Sequence, residues 1–486
     1  MKYLKSFENH TGYETFTQSD EFIRPNVSHC IQENHVHYNP SGWRYEYFTI
    51  ESLENSNAIY LRASNTAVTK TISASTDNGS TWTEYASSTG GSGTTLATLN
   101  KGDKLLVKGE NSTYATSESS YNLFQSTRQF EIKGNIMSLI SGASFANTDE
   151  LIGTDTFSHL FYQCTELISA EKLILPATTL ADNCYQEMFR GCTSLTTAPE
   201  LPATTLADNC YWGMFRDCTS LTVAPELPAT TLATYCYTYM FYGCTSLTKA
   251  PELPATELKN SCYRDMFHSC TNLTTAPELP ATTSAIYCYG SMFYNCTSLE
   301  TAPELPATTL ANNCYNNMFY GCTRLTTAPQ LPATTLADRC YSVMFQGCTS
   351  LTTAPVLPAT TLTQYCYSSM FWGCTSLTTA PELPATTLAD NCYGDMFRGC
   401  TSLTAAPELP ATTLAERCYY RMFFGCTSLS SITCLATNIT ATDCTYYWLN
   451  GVASSGTFIK PASVSVSSWR TGSSGIPNGW TVQDAS

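Results

Sequence analysis

A segment of 26 residues repeats along most of this 486-residue chain. The stretch "CTSLTTAPELPATTLADNCY" begins at Cys192, and near-copies begin at Cys218, at Cys244 and at 26-residue steps as far as Cys426. A repeat of this length forms one supersecondary unit that cannot bury its apolar face alone, so successive copies stack into a solenoid. The repeat therefore restricts the middle of the chain to an elongated stack of coils.

Each copy predicts a brief strand followed by an amphipathic helix. The segment 195–201 carries leucines at both ends, and its prolines keep any strand short. The helix is predicted from the apolar spacing of Leu206, Cys210, Met214, Phe215 and Cys218. The residue before the second cysteine is glycine in seven of ten copies, which predicts a left-handed cap there. We therefore expect an α/β solenoid of leucine-rich repeats with about eleven coils.

The repeat also resembles a known family. "MFRGCTSLTTAPELPATTLADNCY" is similar to the BspA-like, or Treponema-type, leucine-rich repeat, which has an aromatic-x-x-Cys-x-x-Leu core. The unit is three residues longer than is usual there, because a proline-rich insertion follows the strand. The lead "PNVSHC…VHYNP", the β-rich region after it and the ending "GTFIKP…WRTGSSGIPNGWTV" together resemble repeat proteins of gut Bacteroidales and their phages. The resemblance implies surface adhesion or recognition and no chemistry.

Changes in composition and pattern divide the chain into four regions. Residues 1–42 form a polar lead that we expect to be an attachment segment. Short alternating β runs over 43–135 predict a small Ig-like β-sandwich. The solenoid is expected over 136–432, and residues 433–486 are expected to form an atypical capping repeat and a tail, because the last coil would otherwise expose its core.

Two turn signals lie within the predicted β-sandwich. Asn78-Gly79 and Gly102-Asp103 each stand between apolar runs and favour the positive φ of tight hairpins. "STDNGSTW" also resembles the Asp-box hairpin of sialidases. We interpret Asp77 as an acceptor for backbone N–H groups that stabilises this turn, with no catalytic role.

Four further columns of identical or nearly identical residues recur with the repeat. Twenty of the 24 cysteines form two columns, eight residues apart within a copy, and we expect them to be small buried hydrophobes. The tyrosine after the first cysteine predicts a buried packing ladder with locally satisfied hydroxyls. A glutamate column beginning at Glu200 either accepts backbone N–H groups or binds a cation or polar ligand; Val356 interrupts it and counts against an essential row of metal ligands.

Variation among copies is concentrated at positions that a helix would turn away from its apolar stripe. They lie before the first cysteine, between Cys-Tyr and Met-Phe, and directly after Met-Phe. Tyrosine, tryptophan, arginine and small polar residues dominate there, as they do in antibody paratopes. Unconstrained drift is the alternative, although an idle helix surface favours Lys and Glu. The candidate ligand-binding residues are Trp212, Arg216, Tyr239, Tyr242, Tyr294, Tyr320, Trp372 and Tyr420.

The composition and motifs narrow the function further. A net charge of −15 with no basic patch argues against nucleic-acid binding. No motif for catalysis, phosphate binding or metal binding occurs in the sequence, so we expect a non-enzymatic protein without cofactor or metal. No stretch has the ~20 apolar residues of a membrane span. The expected partners are a host cell-surface protein or glycan and, through residues 1–42, other virion proteins; a homo-oligomer remains open.

The start "MKYLKSFENHTGYETF" lacks the apolar core of a secretory signal. The expectation is therefore a tail- or head-associated phage virion protein whose solenoid recognises a host ligand. The alternatives are a BspA-like adhesin at the bacterial surface or outside the cell, and a purely structural protein that decorates the virion.

Overall fold

The computed structural model describes residues 46–89 and 93–485, together with the backbone of two short strands nearer the N-terminus. These strands, β1 (His29–Gln32) and β2 (His35–Tyr38), pair antiparallel. The rest of segment 1–42, for which an attachment role is predicted, lies outside the described residues.

Two facing sheets precede the repeats. Their strands are β3 (Phe48–Ser52), β4 (Asn57–Ala63), β5 (Thr71–Ser75), β6 (Thr83–Ala86), β7 (Thr94–Leu99), β8 (Lys104–Gly109), β9 (Ala115–Ser117), β10 (Ser120–Ser126), β11 (Phe130–Asn135) and β12 (Leu167–Ile174). One sheet has the order β7-β4-β10-β9 and the other β12-β11-β3-β8-β5-β6. Alternate residues along β4, β8 and most of β11 are buried, and the Phe48 ring lies 5.5 Å from the Phe124 ring between the sheets.

The two turn signals in this region have different outcomes. Asn78 and Gly79 have positive φ and connect β5 to its antiparallel partner β6, so the predicted hairpin is confirmed. Gly102 also has a positive φ, but β7 and β8 belong to different sheets, so the hairpin predicted at Gly102-Asp103 is wrong. This turn carries the chain from one sheet to the other.

Asp77 stabilises the β5–β6 turn, as interpreted from the sequence. Its carboxylate accepts hydrogen bonds from the Ser75 hydroxyl at 2.6 Å, the Thr81 backbone N–H at 2.9 Å and the Thr81 hydroxyl at 2.6 Å. These donors, the Ser75 hydroxyl first among them, lower the pKa of Asp77 to about 2. The Asp77 carboxylate is therefore engaged in hydrogen bonds within the turn.

The first sheet region is continuous with the repeats. Strand β12 pairs parallel with β11 of the six-stranded sheet, and Ser169 within β12 then forms a parallel bridge with Thr197 of the next coil. Between β11 and β12 lie the helix α1 (Ser138–Ser141) and a 3-10 helix, Gly142–Asn147. The sheet therefore caps the first coil and sets the direction in which the coils stack.

The predicted helix in each coil is wrong, and with it the α/β class. Among the described residues, α1 is the only α-helix. The segment that includes Leu206 and Cys218 is instead a series of turns. Even-numbered residues there donate N–H groups to their own coil, as Trp212 does to the Asn209 carbonyl at 3.0 Å. Odd-numbered residues donate to the next coil, as Tyr211 does to the Cys236 carbonyl at 3.1 Å.

Every fourth residue of this turn segment has a left-handed backbone. In the second full unit these residues are Asn209, Gly213 and Asp217, with φ of 55°, 58° and 60°. The left-handed conformation predicted before the second cysteine is therefore present, but it ends a turn and caps no helix. Equivalent positions in other copies hold residues that disfavour positive φ, including Arg339 and Val343. The hydrogen bonds to the next coil compensate this strain.

The predicted strand is reduced to single-residue bridges. Thr275 pairs parallel with Thr301, and Thr301 with Thr327, each 26 residues further along the chain. A second column of bridges runs through Thr179, Thr205 and Thr231. Prolines lie between the two columns and remove the donors that a longer ladder needs. Each coil therefore has two narrow β contacts and one long turn segment.

Buried side chains form ladders through the stack. The tyrosines from Tyr185 to Tyr419 stack with ring centroids 5.7–6.1 Å apart, and a phenylalanine ladder runs beside them. The predicted satisfaction of the tyrosine hydroxyls is wrong for Tyr185, Tyr263 and Tyr367, which have no hydrogen-bond partner among the described residues. Burying these three hydroxyls without hydrogen-bond partners lowers the stability gained from the aromatic ladder.

The cysteines from Cys164 to Cys444 are buried, as expected for structural residues, and form no disulfide with one another. The Cys322 thiol, for example, donates to the Phe293 carbonyl of an earlier coil at 3.1 Å. Burial raises the pKa of Cys322 to about 12, and it raises the pKa of the other cysteines in the two columns as well. The thiols act as small apolar groups with one weak donor each.

The C-terminal segment covers the last coil. Strands β13 (Ser431–Thr433), β14 (Thr457–Lys460) and β15 (Thr481–Asp484) form a parallel sheet, and a 3-10 helix spans Val466–Ser468. Trp448 ends the tyrosine ladder, since its ring lies between those of Tyr419 and Trp469, 6.0 Å from each. Its Nε1 donates to the Gly475 carbonyl at 2.9 Å. Tryptophan rings and the C-terminal tail thus cover the end of the core, where a further coil would otherwise be needed.

Replacing Val343 by glycine is expected to stabilise the protein. Valine at a φ of 62° is strained, and glycine already occupies the equivalent position 213. Removing a left-handed penalty of about 1–2 kcal/mol outweighs the added freedom of glycine in the unfolded chain, about 0.5–1 kcal/mol. Urea unfolding should show a higher midpoint. The matched control is Gln346→Gly in the same coil, where φ is not positive; it should lower the midpoint. A lower midpoint for Val343→Gly contradicts the strain.

Stability is expected to fall steeply above about pH 9. The pKa of each buried thiol is raised by folding, so the folded state keeps protons that the unfolded state loses once the pH exceeds its ordinary pKa of about 8.5. Each thiol then lowers the free energy of unfolding by about 1.4 kcal/mol per pH unit. Urea midpoints measured under reducing conditions from pH 7 to 10.5 test this. The loss should begin below the ionisation of tyrosine near pH 10, and a flat profile to pH 10 contradicts it.

Candidate functional site

The turn segments place one variable side chain of each coil in a continuous row. We call this row, formed by the residue after each Met-Phe pair and its counterpart in the first coil, the outer column. All its members are partly buried, between the core and solvent. They are Tyr162, Arg190, Arg216, Tyr242, His268, Tyr294, Tyr320, Gln346, Trp372, Arg398 and Phe424. The column contains five of the eight predicted site residues.

Rings in the outer column stack on one another. The centroids of Tyr242 and His268 lie 4.4 Å apart, those of His268 and Tyr294 4.3 Å, and those of Tyr294 and Tyr320 4.3 Å, with interplanar angles of 26° or less. The Arg216 guanidinium lies 4.7 Å from the Tyr242 ring and extends the row. We call these five residues the long stack. Because the ring faces cover each other, the stack presents edges and polar groups outward.

A second, shorter row follows after an interruption. Gln346 separates the long stack from the short stack, in which the Arg398 guanidinium lies 4.2 Å from the Trp372 ring and 5.1 Å from the Phe424 ring. Such cation–π contacts hold an arginine head group in place at a partly exposed site. Trp372, predicted as a site residue, therefore belongs to a different patch from Tyr294 and Tyr320.

The three remaining predicted residues lie beside the outer column. The Tyr239 ring, whose backbone is left-handed, makes edge contacts with Trp212 at 5.3 Å and Tyr242 at 5.8 Å. Trp212 and Tyr239 thus widen the start of the long stack. Tyr420 is several coils away and stacks on Tyr446 at 5.4 Å. The structure brings six of the eight residues into one surface and leaves Trp372 and Tyr420 outside it.

Acidic residues behind the outer column were missed by the sequence analysis. Glu187, Asp265 and Asp395 occupy the second left-handed position of their coils, and each pairs with the outer-column residue three positions later. The distances are 2.5 Å to Arg190, 3.0 Å to His268 and 3.2 Å to Arg398. In these three coils two variable positions are therefore in direct contact with each other. In each of these coils the sequence has an acidic residue followed by a basic residue three positions later, and this spacing could have predicted the pairs.

At its N-terminal end the outer column is joined to the sheets. His159 Nε2 lies 3.0 Å from Glu187 Oε2, both side chains are buried, and Tyr121 of β10 stacks on the His159 ring at 4.5 Å. Burial alone would raise the pKa of Glu187. The hydrogen bond with His159 and the charge of Arg190 outweigh it, so the pKa is lowered. The variable surface is thus fixed rigidly to the N-terminal sheets.

The glutamate column lies elsewhere on the coil and is exposed. The carboxylates of Glu226, Glu252 and Glu278 make no hydrogen bond or ion pair with any described residue, so the prediction that backbone N–H groups hold them is wrong for these copies. Val356 in the same column is 65% exposed.

Within the described part of the chain, no group of three or more histidine, cysteine or acidic residues could hold a metal ion. No helix there is long and apolar enough to cross a membrane.

Comparison with known proteins identifies the repeat. The sequence model of the BspA-type leucine-rich-repeat region, which contains six copies of the unit, matches residues 114–248, 154–300, 260–404 and 312–452. No curated protein matches the chain. A solved leucine-rich repeat protein from Eubacterium ventriosum is similar at 14% identity and a TM-score of 0.35, over 66% of this chain and 90% of that one.

The family match extends over more than half of the chain and includes the coils that carry both stacks. It agrees with the resemblance inferred from the aromatic-x-x-Cys-x-x-Leu core. This chain belongs to the BspA-type leucine-rich-repeat family.

Proposed function

We propose that this protein is a non-enzymatic recognition protein that binds a host-surface ligand through the outer column and the residues beside it. The observation that carries the proposal is the long stack, a row of fixed aromatic and basic groups at variable positions. A rigid aromatic surface loses little conformational entropy on binding, which is why such residues dominate binding hot spots. Members of the family are generally binding proteins, which favours recognition over catalysis.

The stacking restricts the way in which the long stack can bind. Rings that cover one another cannot accept a flat ligand on their faces, so contact is made with ring edges, tyrosine hydroxyls and the Arg216 guanidinium. These groups form a row with one member per coil, suited to an extended ligand. The short stack and Tyr420 offer two further patches along the same direction. A protein or a glycan chain on a cell surface has the required length.

Two carriers fit this recognition role. In the proposal that follows from the sequence, the protein is part of a phage virion, residues 1–42 attach it, and the Ig-like sandwich positions a solenoid of about eleven coils. The family favours the other carrier, since BspA-type proteins are typically found at the bacterial surface or outside the cell. Mass spectrometry of purified phage particles and of shed or surface-cleaved bacterial proteins distinguishes the two carriers.

Removing two rings of the long stack is expected to weaken cell binding strongly. The variant Tyr294→Ala/Tyr320→Ala deletes two adjacent rings that contribute to no buried ladder. Loss of two hot-spot side chains of about 1–2 kcal/mol each lowers binding at least about tenfold. Binding of the labelled protein to a panel of gut Bacteroidales strains and to intestinal epithelial cells is measured by flow cytometry.

The matched control is Val356→Glu, which changes an exposed residue of the glutamate column to the residue that most copies have there. It should bind like the original protein. Thermal unfolding establishes that both variants fold. Unchanged binding by the folded double variant overturns the assignment of the long stack and leaves the purely structural role in its place.

A further inference from the structure

The strongest unassigned feature of the molecule is a cleft at the junction of the N-terminal sheets and the first coils. Its volume is about 440 Å³, within the ~300–1,000 Å³ usual for ligand pockets. One wall is the end of β9, with Thr116 and Ser117, together with Glu118 of the β9–β10 turn; the other walls come from the solenoid. Because only the first coils lie beside this turn, the cleft occurs once although the repeat occurs many times.

The floor of the cleft is a row of left-handed residues from four successive coils. Asp155, Asn183, Asn209 and Tyr235 all occupy the first left-handed position, with φ between 54° and 57°. Their backbones are fixed by hydrogen bonds between coils, such as that from the Asn209 N–H to the Thr234 carbonyl at 3.0 Å. The row therefore presents a carboxylate, two amides and a phenol ring at regular intervals.

Two aromatic rings stand beside these polar groups. Trp212 is partly buried and is held from one side by its edge contact with Tyr239, whereas Tyr235 is 40% exposed. Gln186 completes the polar lining and donates to Glu118 Oε1 at 3.4 Å across the junction. The lining thus combines amides, which both donate and accept, with carboxylates, which accept, and with two rings.

From this chemistry we propose that the cleft binds a short oligosaccharide without acidic groups. Sugar hydroxyls need partners that both donate and accept, and the apolar face of a sugar ring packs against an aromatic ring; the lining supplies both. Glu118 and Asp155 carry negative charge, and none of the residues that line the cleft is Lys, Arg or His. A ligand with a carboxylate, phosphate or sulfate would therefore meet repulsion with no compensating cation.

This inference rests on the proposed function, because it names the ligand class for one end of the recognition surface. Trp212 is a candidate residue of that surface and also lines the cleft. The cleft would bind the end of a glycan whose remaining length follows the outer column.

The test is saturation-transfer NMR and titration calorimetry of the full chain with a defined panel. The neutral probes are cellotriose, maltotriose, mannotriose, chitotriose and N-acetyllactosamine, and the acidic probes are sialyllactose and a sulfated disaccharide. At least one neutral probe should bind, and both acidic probes should bind at least about tenfold more weakly, as expected for one unpaired buried charge. Failure of every neutral probe, or equal binding of the acidic ones, overturns the inference.

Substitutions in the cleft make the test specific. Trp212→Ala and Asn209→Gly should each lower the affinity for the bound saccharide at least about tenfold, because the first loses a ring contact and the second loses an amide. Glycine at 209 removes the amide without adding strain at a positive φ. Thermal unfolding of both variants identifies any loss that comes from misfolding, and unchanged affinity in both folded variants overturns the inference.

The chain also offers a matched pair of tyrosines. Tyr235 and Tyr365 occupy the same left-handed position five coils apart, but Tyr365 does not line the cleft. Tyr235→Gly should lower the affinity for the saccharide, whereas Tyr365→Gly should leave it unchanged. Equal effects of the two substitutions overturn the assignment of the saccharide to this cleft. A lysine-rich peptide that binds in place of every saccharide also overturns it. If saccharides fail while the long-stack variant still loses cell binding, the inference fails and the proposed function stands.

Discussion

The backbone hydrogen bonds between coils hold this structure together, and the left-handed residue at every fourth position makes them possible. In the turn segment, alternate N–H groups point along the stack, as those of Tyr211 and Phe215 do to the next coil. Beyond its first turn, a helix would satisfy the N–H groups within the segment and leave none of them for the neighbouring coil. Because the backbone reverses at regular intervals, half of the N–H groups in the turn segment have their acceptors in the neighbouring coil.

This constraint explains both the buried and the variable columns. Pairs of side chains four residues apart, such as Cys210-Tyr211 and Met214-Phe215, are buried in the core at each turn. The residues that follow each pair, Trp212 and Arg216, are partly exposed. Copies in register place equivalent side chains directly above one another, so tyrosines stack on tyrosines inside. The same alignment stacks Tyr294 on Tyr320 outside. The candidate binding surface therefore arises from the repetition that stabilises the core.

The sequence predicted the repeat, the buried columns and the outward face, but it gave the wrong local structure. Leu206, Cys210, Met214 and Cys218 fit an amphipathic helix, yet their spacing of four is strict, whereas a helix turns every 3.6 residues and drifts from such a spacing. Asn209, Gly213 and Asp217 tolerate a left-handed backbone and were a readable signal for turns. Arg339 and Val343 concealed that signal in another copy. The outward face was found because periods of 3.6 and 4 nearly coincide over so short a segment.

The details of the candidate site depended on distances that no spacing specifies. Tyr242, His268 and Tyr294 are separated by 26 residues each, and only the coil rise shows that their rings touch. The cleft depends on the β9–β10 turn lying over the first coils, which the sequence of the repeat does not contain. Because each coil meets only its two neighbours through the same set of bonds, a duplication or loss of 26 residues in the middle changes the reach of the protein and leaves both ends intact. The number of coils can then change in evolution while the N-terminal sheets and the C-terminal cap keep their structure.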